Sequence, residues 1–270
     1  MKRLLVVGAS LVALAVGLAS AGYLLRFELL SWQLELPAWT HRVGAERSLR
    51  VAMRDGVELA TTVFEPAGEG PWPTVFLRNP YDVPFVSSWC GIFIRFGYAC
   101  VYQETRGQID SGGEWEPMVN EPNDGEDALA WLVDQPFHDG NIGFYGPSYL
   151  ASVQWAMASR GLPPEVKTMV PMMFGTDMYS LAYERGMFRH EILTAWSALM
   201  PGRGFETDNS EHYQDIVRHR PHIEIDDHYL GTRIDWYRDY VTNPGRGDPL
   251  WQRRELAEVI AAPARTQIPV

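Results

Sequence analysis

The first pattern along the chain is an apolar run from Leu4 to Leu25 that contains no charge, preceded by Lys2 and Arg3. It has no polar face, so it does not read as a helix that lays one stripe on a core. At the helical rise per residue it is long enough to cross a bilayer. Two readings fit residues 1–26: a secretory signal peptide ending at Ala19-Ser20-Ala21, and an uncleaved membrane anchor that uses the whole run. Its continuation through Tyr23, Leu24 and Leu25 favours the anchor. Under either reading the basic start stays inside and the rest of the chain is exported. Residues 27–46, with Trp32 and Trp39, read as a linker.

From Ser48 the periodicity changes to that of strands. Leu49–Met53 and Val57–Phe64 flank Asp55-Gly56, the signature of a hairpin. Short apolar runs at Thr74–Leu77, Tyr98–Gln103, Asn141–Tyr145 and Val166–Phe174 predict further strands. Helical spacing predicts helices at Trp89–Phe96, Asp124–Val133 and Leu150–Ser159. Strands alternating with helices imply a mostly parallel sheet covered on both faces, an α/β core over residues 47–177. Residues 178–262 are rich in Tyr, Trp, His and Arg, show no clear strand, and read as a helical cap. Residues 263–270 read as the opening of another core strand, in which the chain ends.

Composition narrows the chemistry. The 270 residues carry a formal net charge of −11, which argues against nucleic acid or an anionic membrane surface as a partner. The seven histidines show no paired ligand spacing, so neither a metal nor another cofactor is expected. Cys90 and Cys100, on a predicted helix and the following strand, are expected to be core thiols.

The stretch Asn141–Ala151 predicts a strand, a sharp turn and a helix start, with Ser148 at the apex. That is the layout of a nucleophile elbow, which exposes a serine at the end of a sheet and the mouth of a helix. The common pattern G-x-S-x-G is kept at Gly146 and broken at Leu150. A serine that merely caps a helix N-terminus is the competing reading.

Several further segments occur in a recognisable order: Met53–Leu59, Leu77-Arg78-Asn79-Pro80-Tyr81, Gln103–Gly107, Ser111–Trp115, Asn120-Glu121, Asp124–Asp127, Gln135-Pro136-Phe137 and Gly146–Ala151 with Gln154-Trp155. With these, residues 48–270 resemble the N-terminal part of the X-Pro dipeptidyl-peptidase and cocaine-esterase family of α/β-hydrolases. In that family the position of Leu150 is variable. The resemblance implies an α/β-hydrolase fold truncated before the last core strands, and a serine hydrolase acting on small esters, amides or peptides. It implies Ser148 as nucleophile, the backbone N–H of Tyr149 as one oxyanion donor and the side-chain hydroxyl of Tyr81 as the other. Arg106 and Asp110 are expected to brace the nearby loop, and Glu114 and Asp124 to serve as turn and cap groups. Asp127, Trp131, Tyr102 and Trp155 are read as packing residues.

The family's carboxylate and histidine follow the strand after the cap, and the chain stops in that strand. Asp177 and the cap histidines His190, His212, His219, His222 and His228 are read as structural, not as substitutes. The chain is therefore expected to be an incomplete and inactive piece of a serine hydrolase, with a long exposed sheet edge. The alternative is a catalytically inactive binding or interaction protein of the same fold.

Overall fold

The computed structural model describes residues 15–23, 25–82, 84–200 and 213–270. Lys2, Arg3, the first part of the predicted anchor, Leu24 and His212 lie outside the described residues. Residues 15–23 are helical and α1 (Arg26–Gln33) follows. Among the described residues, no helix is long and apolar enough to cross a membrane.

The hairpin forms where Asp55-Gly56 places it. β1 (Val43–Ala52) and β2 (Glu58–Pro66) pair antiparallel, with Gly56 at φ 85° in the turn and its N–H donating to the Met53 carbonyl at 2.8 Å. Then come β3 (Trp72–Asn79), α2 (Pro84–Arg95), β4 (Ala99–Glu104), α3 (Glu121–Val133), β5 (His138–Pro147), α4 (Tyr149–Ser159) and β6 (Val166–Met172). They build one six-stranded sheet in the order β1-β2-β4-β3-β5-β6. β4, β3, β5 and β6 run parallel, and β2 joins β4 antiparallel.

Side-chain alternation explains why the central strands read as unbroken apolar runs. On β3, Val75 and Leu77 pack with Cys90 of α2, while Phe76 packs with Leu129 of α3 and Met157 of α4. Both faces of the sheet are thus covered, and the period of two is masked because both sets are apolar.

The cysteines correct the expectation of core thiols. Cys90 and Cys100 form a disulfide, with Cα atoms 5.3 Å apart, that staples α2 to β4. Helix α2 leads directly into β4 and folds back on it, which brings two positions distant in linear pattern to bonding separation.

The segment expected to be a cap comprises α5 (Met178–Ala182), β7 (Tyr183–Glu184), β8 (Met187–Phe188), α6 (His190–Leu199), α7 (Tyr213–Arg218) and α8 (Asp235–Thr242). The expectation of no strand is corrected by the β7–β8 pairing, closed by Arg185 and Gly186 at positive φ. Helix α9 (Arg254–Arg265) runs past residue 262 and packs on α4. Residues 266–270 are not a strand, but the Pro269 carbonyl accepts from the Met169 N–H at 3.0 Å, alongside β6.

One buried carboxylate holds α8 to the turn that precedes it. Asp226 is fully buried and accepts from the Ile234 N–H at 2.8 Å, and from Arg238 Nε at 2.7 Å and its terminal nitrogen at 2.9 Å. Burial works to raise its pKa, but these hydrogen bonds and the Arg238 charge win and hold it below the usual 3.8. A depressed acid stabilises the fold above its unfolded pKa and loses that contribution as pH falls through the folded value. Asp226→Asn should lower the melting temperature by about 5–10 °C at neutral pH, and the gap to the parent should close below about pH 4, as read by thermal melts across pH. Reducing the Cys90–Cys100 disulfide should cost about 2–3 kcal/mol, measured by denaturant unfolding with and without reductant.

Candidate functional site

The site sits where the sheet changes direction. From β3 the chain moves outward to β4 on one side, and from β5 to β6 on the other, so β3 and β5 are neighbours whose following loops part. A crevice opens at the carboxyl ends of such a strand pair. Tyr81 follows β3 and Ser148 follows β5, and the parallel register Phe76↔Phe144 brings both loops to the same end of the sheet.

Ser148 lies between β5 and α4 at φ 57°, ψ −129°. Its side chain makes no capping hydrogen bond to α4, which removes the reading of a plain helix cap. Gly146 has φ 149°, and a Cβ there would lie 2.4 Å from Leu150 Cβ. The close approach that demands glycine is thus at Gly146. Leu150 is buried against Val75, Leu77 and the disulfide, so a large side chain fits after the serine.

The residues singled out from the resemblance come together. Tyr81 Oη and Ser148 Oγ are 3.2 Å apart. Asn79 fixes the Tyr81 loop by donating from Nδ2 to the Tyr81 carbonyl and, at 2.7 Å, to the Tyr102 hydroxyl. Tyr149 is the first residue of α4, so its N–H has no acceptor within the helix. Its buried phenol donates to Glu121 Oε1 at 3.0 Å and accepts from the Met118 N–H at 2.9 Å. Burial and the nearby Glu121 carboxylate raise that phenol well above its ordinary pKa.

Beneath lies a buried charge network. Arg78 of β3 pairs with Glu121 at 2.9 Å, and its Nε donates to Gln103 Oε1 at 3.0 Å. Both Arg78 and Glu121 are 1% exposed, so each charge depends on the other. Arg106 braces the loop after β4, bonding Asp55 at 2.8 Å and Asp124 at 2.6 Å. Asp124 is therefore the partner of a buried arginine, a correction to its expected role as a cap. Asp127 binds Arg54.

A cavity of about 220 Å³ opens beside Ser148, Tyr81 and Tyr149, walled by Met173, Phe174, Leu181, Ile192 and Trp196. Tyr102 and Trp155 do not line it and pack in the core. Trp196 of α6 was not singled out by sequence. Its Nε1 is 3.3 Å from Tyr81 Oη, and its ring stacks on Tyr149 with centroids 5.8 Å apart. Glu121 was matched only as part of a motif, since a first-turn acid carries no mark of burial.

Among the described residues, no histidine lines this cavity. His190 hydrogen-bonds to His222 at 3.0 Å and to Thr194 at 2.8 Å, and His219 stacks on His228. Asp177 caps α5 through the Tyr179 and Ser180 N–H groups and pairs with Arg246 at 2.7 Å.

The sequence pattern of the X-Pro dipeptidyl-peptidase (S15 family) matches residues 55–270. The chain belongs to that family. A cocaine esterase from Rhodococcus sp. (strain MB1 Bresler) is 35% identical over 234 residues, covering 78% of this chain and 40% of the relative. Among solved structures, an α-amino acid ester hydrolase aligns with a TM-score of 0.63 at 22% identity, over 82% of this chain and 41% of that one. An aminopeptidase from a marine sediment archaeon, Thaumarchaeota archaeon, aligns with a TM-score of 0.64 at 22% identity, over the same shares. These show the α/β-hydrolase fold. The chain spans about two fifths of the length of these relatives.

The Gly146 geometry is testable. Gly146→Ala should destabilise by at least about 2 kcal/mol, because it meets both a disfavoured φ and the Leu150 side chain. Gly140→Ala, at φ 91° with open space around it, should cost only about 1 kcal/mol. Denaturant unfolding of the two variants separates clash from backbone strain.

Proposed function

We propose that this chain carries the nucleophile and both oxyanion donors of an exported serine hydrolase that cleaves ester or amide bonds. The observation that supports it most is the 3.2 Å approach of Tyr81 Oη to Ser148 Oγ, at a serine held at positive φ between a strand and a helix. In this reading Ser148 Oγ attacks the substrate carbonyl while its proton passes to a base. The carbonyl oxygen becomes an oxyanion that accepts hydrogen bonds from the Tyr149 N–H and the Tyr81 hydroxyl. The tetrahedral intermediate collapses, the C–O or C–N bond breaks, and the leaving group takes a proton. Water then hydrolyses the acyl-enzyme by the same steps. A phenol suits the role because its hydroxyl can donate a hydrogen bond.

The acyl group would enter the aromatic-walled cavity beside Ser148, whose volume of about 220 Å³ and apolar lining favour a compact apolar acyl group. His190, His219, His222 and His228 are engaged elsewhere in the cap, and His41 and His138 do not line the cavity, so none of them is assigned as the base, and the orienting carboxylate is not assigned to Asp177. In the family's order both groups follow the strand after the cap.

Export is supported by two independent features. The uncharged run from Leu4 to Leu25 behind Lys2 and Arg3 suits an anchor that leaves the catalytic part outside. The Cys90–Cys100 disulfide suits an oxidising compartment. Intact mass of the membrane fraction tests the anchor: loss of residues 1–21 would show a cleaved signal peptide instead.

A fluorophosphonate probe tests the chemistry. Ser148 should be labelled in the intact protein and Ser148→Ala should not be. Tyr81→Phe should lower kcat on a short-chain aryl ester by about 10²-fold with little change in KM. If Ser148 in the intact protein stays unlabelled, the hydrolase reading is wrong and a binding protein on this fold replaces it.

A further inference from the structure

We propose that Trp196, a cap residue, is a positioning residue that sets Tyr81 as a hydrogen-bond donor toward Ser148, so that the cap completes the oxyanion site as well as walling the pocket. The inference rests on the hydrolase reading above and assigns a role to the cap within it.

A phenol oxygen carries one proton and accepts through its lone pairs, whereas an indole N–H only donates. Trp196 Nε1 lies 3.3 Å from Tyr81 Oη, so in that contact Tyr81 must accept. The Tyr81 proton is then free for its other neighbour, Ser148 Oγ, at 3.2 Å. Between two hydroxyls alone either can donate, and where Ser148 donates the phenol turns a lone pair toward it. The indole tips the balance. It also polarises the phenol, since an accepted hydrogen bond strengthens the one donated.

The same side chain touches the second donor residue. The Trp196 ring stacks on the Tyr149 ring at 27° between planes, and Trp115 closes the other side of the cluster, 5.4 Å from Trp196 and 5.7 Å from Tyr149. Tyr149 is held at its far end by Glu121 and the Met118 N–H, so the stack presses on a fixed partner. Trp196 sits on α6, whose Leu193 and Ser197 are fully buried, which fixes the indole relative to the core. One cap indole therefore meets both residues that supply oxyanion donors, whereas a pocket wall needs only its apolar face.

The test is a double-mutant cycle in the intact protein, read by affinity for butylboronic acid, which adds to a serine hydroxyl and places a tetrahedral boronate oxygen at the oxyanion position. Tyr81→Phe should weaken binding about 100-fold. Trp196→Phe, which keeps an aromatic wall, should weaken it about tenfold in the parent but less than about twofold in the Tyr81→Phe background. Equal losses in both backgrounds would show that Trp196 acts only as a wall, and would overturn the proposal. A second readout is independent of the chemistry: the Trp196 indole N–H resonance in 15N-labelled protein should move upfield in Tyr81→Phe. An unmoved resonance means no hydrogen bond and also overturns it. If the parent forms no boronate adduct while the resonance shifts as expected, the hydrolase reading itself has failed, and the catalytic role of Trp196 falls with it.

Discussion

A serine held at φ 57° between β5 and α4 occupies a backbone region that side chains rarely adopt, at a cost of about 1–3 kcal/mol. The surrounding residues are arranged around that strain. Gly146 leaves room for Leu150 to pass close to the incoming strand. Leu150 then anchors the first turn of α4 in the core beside the disulfide. The Ser148 N–H donates to the Met172 carbonyl at 3.0 Å, and its own carbonyl accepts from Ala151 and Ser152. Ladder bonds to β6 and helix bonds to α4 meet at this one residue, and together they hold a conformation that neither element would choose alone.

The second layer of restraint is electrostatic. Arg78 and Glu121 form a buried pair between β3 and α3, and Glu121 also accepts from the Tyr149 phenol. Through this pair the strand that ends near Tyr81 and the residue that follows Ser148 are tied to the same helix. A buried pair adds little net stability over apolar packing, but breaking it strands a charge, so it fixes geometry more than it raises stability. The cap adds a third restraint from above, through Trp196, and the Asp226–Arg238 clamp holds α8 to the preceding turn.

Much of the core was legible in linear pattern. The Asp55-Gly56 turn, the apolar runs of β3 to β6 and the helical spacing of α3 and α4 each have a short-range cause, and each element formed near its expected span. The misses have physical causes too. Whether Cys90 and Cys100 bond depends on how α2 folds against β4, and thiol and disulfide look alike in composition. The β7–β8 strands are two residues each and depend on a turn at Arg185-Gly186, too short for periodicity to register. Asp124 sits in the first turn of α3, where an acid usually serves the helix end, yet here a buried guanidinium claims it.

Linear pattern was enough for the alternation of elements and the strand–turn–helix around Ser148, and the family resemblance pointed to Tyr81 and Tyr149 as its expected companions. Those follow from local causes: period, turn residues, and glycine where the backbone must bend. That Tyr81 reaches Ser148 came from the folded arrangement, because the contact depends on β3 and β5 being parallel neighbours in register. It alone placed Trp196 on Tyr81 and Glu121 under Tyr149. Contacts between residues far apart in the chain are set by how sheet, helices and cap pack, and packing leaves no mark on the order of residues along any one of them.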